Sequence, residues 1–218
     1  MMSVSPNMSD AEDGLIRSLR IQPLLVVLRP EPADLDAVFS LTRLCRQLDQ
    51  LVEAGVQHVE IAWVDHPRWT DLVTAARSRH AFLSFGVASI TRQSALQQVS
   101  ELGFSYAMSP LLNAALQQTA KQLGFLLVPG VMTPSEIRQA SDLGCRLVKL
   151  FPASVLGRGF CRQIAVPMGN LPFVIAAGGL RADDLFSWLE SGYDAIALGR
   201  TVFENDGLDP ALTAWLGA

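Results

Sequence analysis

Short apolar segments alternate with longer amphipathic segments along most of the chain. Each apolar segment is six to eight residues long and resembles a strand that is buried on both faces. These segments predict strands at residues 24–29, 56–63, 81–87, 104–109, 125–130, 145–151, 172–178 and 193–199. The amphipathic segments predict helices at residues 33–54, 67–80, 91–102, 112–123, 133–143, 155–165, 181–191 and 208–216.

The ends of the predicted helices carry local signals. Glycine, which tolerates the left-handed conformation that commonly ends a helix, stands just before a predicted strand at Gly55, Gly103, Gly124, Gly144 and Gly192. Thr91 and Thr133 are predicted N-caps, and Glu136 completes a capping box with Thr133. A further N-terminal helix is predicted to begin at Ser9 or Asp10.

Strands and helices that alternate at this spacing imply parallel strands joined by right-handed crossovers. Eight such units in about 200 residues predict an α/β fold of the compact (β/α)8 TIM barrel type, with the N-terminal helix as an addition. A doubly wound open sheet is the alternative. Because no linker divides the chain, we expect a tail and helix in residues 1–20 and a single barrel domain in residues 21–218.

Composition narrows the functional classes. Half of the 218 residues are hydrophobic and the net charge is −4, so nucleic acid is not an expected partner. No apolar run approaches the roughly 20 residues that span a membrane, and the N-terminus lacks signal-peptide features, which favours a cytoplasmic location. The three cysteines are widely spaced, have no histidine at metal-ligand spacing, and are expected to be reduced thiols.

The active site of a barrel lies at the carboxyl ends of its strands. Lys149 and Glu60 are charged residues within apolar strands near that end. Burial lowers the pKa of a lysine and frees its amine to attack a carbonyl, while a neighbouring carboxylate can move protons. Two structural alternatives remain open: an ion pair between Lys149 and Glu60, and a Glu60 carboxylate that is satisfied by backbone amides or by Arg29.

Two glycine-rich turns follow the last two predicted strands. They read IAAGGL at residues 175–180 and IALGRTVF at residues 196–203. Backbone N–H groups in such turns can surround an anion, and Arg200 adds a positive charge. A phosphate or carboxylate site is therefore predicted here, with a tight strand-to-helix turn as the alternative.

Eight segments resemble, in order and spacing, a family of class I aldolases that act on 2-keto-3-deoxy-6-phosphogluconate and 4-hydroxy-2-oxoglutarate. The segments are VVLRP, AGVQHVEI, FGVASI, YAMSP, LLVPGVMTPSEI, LVKLFPAS, AAGGL and LGRTVF, within residues 20–203. KLFPA and PGVMTP are the most specific of them. Family members are typically homotrimers that need no metal or organic cofactor.

The resemblance implies a role for each matching residue. Lys149 would be the Schiff-base nucleophile and Glu60 the general acid and base, in the cleavage of a 2-keto-4-hydroxy acid to pyruvate and an aldehyde such as glyoxylate. The implied substrate-binding residues are Arg29, Ser89, Pro110, Pro129, Phe151, Gly178, Gly179 and Gly199, and Arg200 joins them from the glycine-rich turn alone.

The sequence departs from the family pattern near the expected substrate. GVAS replaces the usual GAGT, and Val64 stands where many members have arginine. AAGG replaces PTGG, which removes a threonine hydroxyl at Ala177, and Arg200 replaces a common serine. Two ketoacid substrates therefore stay open, a phosphorylated sugar acid and a smaller dicarboxylate such as 4-hydroxy-2-oxoglutarate. The functional alternatives are a phosphate-binding isomerase or epimerase and a non-catalytic ketoacid-binding barrel.

Overall fold

The computed structural model describes residues 8–205 and 207–217, so the predicted tail at residues 1–7 lies outside the described residues. Nine parallel strands form one sheet. They are β1 (Leu24–Leu28), β2 (His58–Ala62), β3 (Ser84–Ala88), β4 (Tyr106–Met108), β5 (Leu126–Val128), β6 (Gly130–Val131), β7 (Leu147–Leu150), β8 (Phe173–Ala177) and β9 (Ala195–Leu198). All eight predicted strands are confirmed, and the fifth is divided into β5 and β6.

The sheet closes into a barrel at Pro129. The strand order is β5-β4-β3-β2-β1-β9-β8-β7-β6, and its two outer strands, β5 and β6, are separated in sequence by this one residue. Proline has no N–H for a ladder bond, but the Pro129 carbonyl accepts a hydrogen bond from the Lys149 N–H at 2.8 Å. The predicted (β/α)8 barrel is confirmed, and the open-sheet alternative is wrong.

The helices fill the intervals between strands. They are α1 (Met8–Ile21), α2 (Pro32–Asp36), α3 (Arg43–Glu53), α4 (Trp69–Arg79), α5 (Gln93–Glu101), α6 (Ala114–Gln122), α7 (Pro134–Asp142), α8 (Ala153–Leu156), α9 (Phe160–Met168), α10 (Leu185–Glu190) and α11 (Pro210–Leu216). Short 3-10 turns lie at Phe39–Leu41, Ala182–Asp184 and Arg200–Val202, and an antiparallel hairpin joins Phe203–Glu204 to Gly207–Leu208.

Three local predictions about helices need comment. The capping box of Thr133 and Glu136 is confirmed at α7. The single helix predicted for residues 33–54 is wrong, because the Thr42 hydroxyl accepts the Cys45 N–H and begins a new helix, α3. The cap at Thr91 is also wrong, since α5 begins two residues later with Arg92 at its N-cap.

Strand alternation separates the core into an outer layer under the helices and an inner layer inside the barrel. The inner layer includes Leu25, Tyr106, Met108, Val128, Leu147, Phe173, Ile175 and Ala195, packed with Leu15, Ile16 and Leu19 of α1. The predicted N-terminal helix is thus confirmed, and it covers the opening at the amino ends of the strands. No helix of the described residues is long and apolar enough to cross a membrane.

Candidate active site

A cavity of about 490 Å³ opens at the carboxyl ends of the strands, opposite α1. It gathers residues that are far apart in the sequence. The predicted site residues that line it are Arg29, Glu60, Ser89, Pro110, Lys149, Phe151, Gly178, Gly179, Gly199 and Arg200. Pro129 is not brought to the cavity, because it is buried in the barrel wall between β5 and β6.

Lys149 and Glu60 face the cavity from strands on opposite sides of β1, β9 and β8. Lys149 lies opposite Gly130 and Ile175 in the ladder, and Glu60 lies opposite Val27 and Gly86. Only 7% of Lys149 and 1% of Glu60 are exposed. Their neighbours along each strand point outward into the apolar layer under the helices, so both side chains point into the barrel.

The electrostatic environment brings the pKa values of Lys149 and Glu60 closer together. Burial raises the pKa of Glu60 to about 7, against the opposing effect of the Lys149 charge. Burial also lowers the pKa of Lys149, and Arg29 lowers it further, while the Glu60 charge raises it. These directions favour a carboxyl that exchanges protons near neutral pH and an amine that is more often uncharged than a surface lysine.

Lys149 has no close carboxylate. Among the described residues, no ion pair within 4 Å joins its ammonium to any acid, and one oxygen of Glu60, Oε1, is buried without a hydrogen-bond partner. The Phe151 ring centroid lies 5.7 Å from Lys149 Nζ. The structural ion pair between Lys149 and Glu60 is therefore not formed in this structure.

Arg29 and Ser89 form a polar edge of the cavity. The Arg29 guanidinium donates to the Ser89 hydroxyl at 3.2 Å, and no described carboxylate lies within 4 Å of it. Ser89 adopts a positive φ of 69°, a conformation that serine rarely takes. The alternative in which Arg29 satisfies Glu60 has no hydrogen bond or ion pair to support it among the described residues.

The glycine turn after β8 requires its glycines. Gly178 and Gly179 have φ values of 92° and 75°. A methyl group on Gly178 would lie 2.8 Å from the Phe151 ring, and one on Gly179 would collide with the Ser154 hydroxyl. The Gly178 carbonyl accepts the Ser154 N–H at 3.2 Å, whereas no described group accepts the N–H of Gly179.

Arg200 connects this cavity with a second one. The second cavity, of about 550 Å³, lies between β1 and α3, and Val27, Arg29 and Arg200 line both. Arg43 and Arg46 also line the second cavity, and Arg43 is paired with Asp34 and Glu31. Arg200 has no ion pair with any described residue, and it lies at the boundary between the two cavities.

Several lining residues were not predicted from the sequence. They are Val27, Leu180, Ala197 and Thr201, whereas Ala88 and Ala177 line the cavity in the two turns where the sequence departs from the family pattern. The Thr201 hydroxyl donates to the Leu180 carbonyl at 2.8 Å and thereby joins the two glycine-rich turns. Most of the others are apolar strand residues, whose sequence signal is the same whether they face a cavity or the core. Within the described residues, no three His, Cys, Asp or Glu side chains cluster as metal ligands would.

Comparison with known proteins decides the family. The family model for the KDPG and KHG aldolases (Aldolase) matches residues 23–211, which is most of the chain. The chain belongs to this aldolase family. Members of the family are lyases, and the predicted enzyme class is confirmed at that level.

Individual members of the aldolase family are similar to this chain over much of its length. A probable 2-dehydro-3-deoxy-6-phosphogalactonate aldolase from Rhizobium meliloti is 26% identical over 185 residues, covering 84% of this chain and 82% of that protein. The KHG/KDPG aldolase of Escherichia coli K12 is 32% identical over 129 residues, or 59% of this chain and 60% of its own length. This chain also superposes on a solved structure of 2-keto-3-deoxy-6-phosphogluconate aldolase from Zymomonas mobilis ZM4 with 3-phosphoglycerate. The TM-score is 0.75 at 22% identity, and the superposition covers 96% of this chain and 94% of that one. This likeness supports the fold.

Proposed function

We propose that the protein is a class I aldolase that cleaves a 2-keto-4-hydroxy acid through a Schiff base on Lys149. One observation carries the proposal. Lys149 and Glu60 are both buried and line the same cavity, yet no ion pair within 4 Å joins them. Burying two charged groups without pairing them costs free energy, which is typical of groups that are kept for chemistry.

The first steps use the Lys149 amine. Its lowered pKa increases the fraction of uncharged amine that can attack the C2 carbonyl of the substrate. Loss of water from the resulting carbinolamine gives a protonated imine between Lys149 and C2. This imine accepts the electron pair when the C3–C4 bond breaks.

Glu60 handles the protons. As a carboxylate it removes the proton of the C4 hydroxyl, directly or through one water, while the C3–C4 bond breaks and an aldehyde leaves. The enamine that remains on Lys149 is protonated at C3, and hydrolysis of the imine releases pyruvate. A pKa of about 7 allows Glu60 to accept and return a proton near neutral pH.

The cationic groups favour a substrate with an anion at each end. Arg29 with Ser89 would hold the carboxylate beside the keto group. Arg200, together with the free N–H of Gly179, would hold the anion at the far end. Both 2-keto-3-deoxy-6-phosphogluconate and 4-hydroxy-2-oxoglutarate meet this requirement, and the names of the aldolase relatives point to the same class of ketoacid.

A cleavage assay with matched lysine variants tests the proposal. The sequence contains only two lysines, Lys149 and the exposed Lys121, whose ammonium donates to the Leu143 carbonyl on the outside of the barrel. We expect Lys149→Met to fold and to lose at least about a thousand-fold in kcat for pyruvate release, and Lys121→Met to keep wild-type activity. Comparable activity of the two variants would refute the role of Lys149.

The same assay ranks the substrates. The ratio of kcat/KM between the phosphorylated sugar acid and 4-hydroxy-2-oxoglutarate measures how well Arg200 and the glycine turn accept each distal anion. The isomerase alternative predicts turnover without pyruvate release, and the binding-barrel alternative predicts thermal stabilisation by ketoacids without turnover.

The assembly and location of the protein belong to the same proposal. We expect a cytoplasmic homotrimer that acts without a metal or organic cofactor, and a single folding unit across residues 21–218. Light scattering gives the oligomeric state, and dialysis against a chelator should leave the activity unchanged. A single cooperative transition in denaturant would support one domain.

A further inference from the structure

Tyr106 lies inside the barrel, beneath the candidate active site, and has no place in the chemistry described above. It is 1% exposed, and its hydroxyl has no hydrogen-bond partner in the described part of the chain. A buried phenol normally has one. We infer that Tyr106 is a positioning residue for Glu60, to which its hydroxyl donates a hydrogen bond through one bridging water.

Gly86 fixes where the Tyr106 hydroxyl lies. Gly86 is directly opposite Glu60 in the β2–β3 ladder, so a side chain at Gly86 would point into the barrel beside that of Glu60. A methyl group built on Gly86 would collide with the Tyr106 ring and would lie 2.6 Å from the Tyr106 hydroxyl oxygen. The phenol therefore occupies the space of the missing Gly86 side chain, adjacent to Glu60.

The unpartnered groups match as donor and acceptor. Glu60 Oε1 is buried without a partner, and it can only accept a hydrogen bond when the carboxyl is ionised. Burial and the Glu60 charge both raise the pKa of Tyr106 well above its ordinary value, so the phenol stays protonated and remains a donor. One bridging water would satisfy both groups, whereas leaving both buried and unpaired would destabilise the folded state.

Other charges around Glu60 cannot take this place. The titratable group that faces it from β7 is Lys149, with no ion pair within 4 Å, the one from β4 is Tyr106, and His58, two residues earlier on β2, contacts Ser18 of α1 at 3.0 Å. Arg29, after β1, and Arg200, after β9, line the same cavity nearer its mouth. Tyr106 thus holds the carboxylate from below, and Lys149 and the substrate stay on the open side.

This inference deepens the proposed function, because it matters to catalysis only if Glu60 is the base. Its consequence is that Tyr106 keeps Glu60 ionised at a lower pH than burial alone would allow. Removing the hydroxyl should therefore raise the pKa of Glu60. A purely packing role of the ring would leave that pKa unchanged, since phenylalanine fills the same space beside Gly86.

The experiment is a carbon-13 NMR titration of Glu60 in protein labelled at the glutamate carboxyls, assigned by the signal lost in Glu60→Gln. We expect Tyr106→Phe to raise the Glu60 pKa by about one pH unit. An unchanged pKa would overturn the inference. The readout needs no activity, so it is independent of whether Lys149 forms an imine.

The second tyrosine supplies the control. Tyr193 is the only other tyrosine in the sequence, and its hydroxyl donates to the Gly157 carbonyl at 3.1 Å, away from Glu60. Tyr193→Phe should leave the Glu60 pKa at its wild-type value. In that background, 3-fluorotyrosine at position 106 is a stronger donor and should lower the Glu60 pKa. A shift in the opposite direction would contradict the hydrogen bond.

Discussion

Two buried glutamates lie at opposite ends of the barrel and differ in their hydrogen-bond and ion-pair partners. Glu12, on α1 at the closed end, accepts the Arg146 N–H at 3.0 Å and is paired with the Arg146 guanidinium at 3.6 Å. Glu60, at the open end, has one oxygen without a partner and no ion pair among the described residues. Burial raises the pKa of both, against the hydrogen bond from the Arg146 N–H in Glu12, and it raises the pKa of Glu60 to about 7.

The difference separates a structural carboxylate from a chemical one. Glu12 ties α1 to the start of β7, and its hydrogen bond and ion pair offset much of the free energy of burial. Glu60 lacks this offset, and an unpaired carboxylate in an apolar barrel destabilises the folded state. Its retention there is explained if the substrate and the Lys149 amine are its partners during the reaction.

Neutralising each glutamate and measuring substrate cleavage should give the largest difference between them. Glu60→Gln should lower kcat by about 100- to 10,000-fold, since glutamine cannot accept the hydroxyl proton. The imine with pyruvate should still form on Lys149. In the wild-type protein, kcat should fall as the pH drops through about 7, because Glu60 becomes protonated there. The Glu60→Gln variant should not show this fall in kcat. Glu12→Gln should keep both the wild-type kcat and its fall at low pH. An equal loss of kcat in both variants would contradict the proposed difference between the two glutamates.

The same substitution, Glu60→Gln, is expected to stabilise the folded protein, although it lowers the activity. The folded-state pKa of Glu60 lies above the ordinary 4.5, so its contribution to stability is complete below pH 4.5 and is lost as the pH rises to about 7. At pH 8, Glu60→Gln should therefore raise the free energy of unfolding by roughly 3 kcal/mol, and at pH 4 by almost nothing. Denaturant unfolding at the two pH values measures both.

Glu12→Ala is the matched comparison for that measurement. It removes the acceptor of the part-buried Arg146 N–H and the ion pair with the Arg146 guanidinium, and should lower the free energy of unfolding by about 1–3 kcal/mol at pH 8. If Glu60→Gln were also destabilising at pH 8, burial of the Glu60 charge would be offset as fully as that of Glu12, and the contrast between the two ends of the barrel would be lost.

Much of the fold was predictable because its signals are local. The glycines at helix ends, such as Gly55 and Gly144, both adopt a φ of 83°, as a left-handed helix stop requires. Apolar runs of strand length, separated by amphipathic segments, were enough to predict a parallel barrel. Lys149 and Glu60 were candidates from the same pattern, because charges inside such strands are rare.

The rest depends on contacts between distant segments. The break in the fifth strand at Pro129 follows from pairing with two different neighbours, β4 and β7, which no local pattern reports. In the sequence, Tyr106 is indistinguishable from an ordinary residue of the strand predicted at residues 104–109. The role of its hydroxyl emerges only when the barrel places it over Gly86 and beside Glu60. One local signal does exist, because a tyrosine two residues before Met108 is expected on the same inward face of the strand, where its hydroxyl needs a partner.

The most direct measurement is borohydride reduction in the presence of pyruvate, followed by peptide mass spectrometry. Because Lys121 is the only other lysine, each digest carries its own control. The account predicts a reduced pyruvate adduct on the Lys149 peptide and an unmodified Lys121 peptide. A folded protein that gives no adduct on Lys149 at high pyruvate concentration, or gives equal labelling of both lysines, would contradict it.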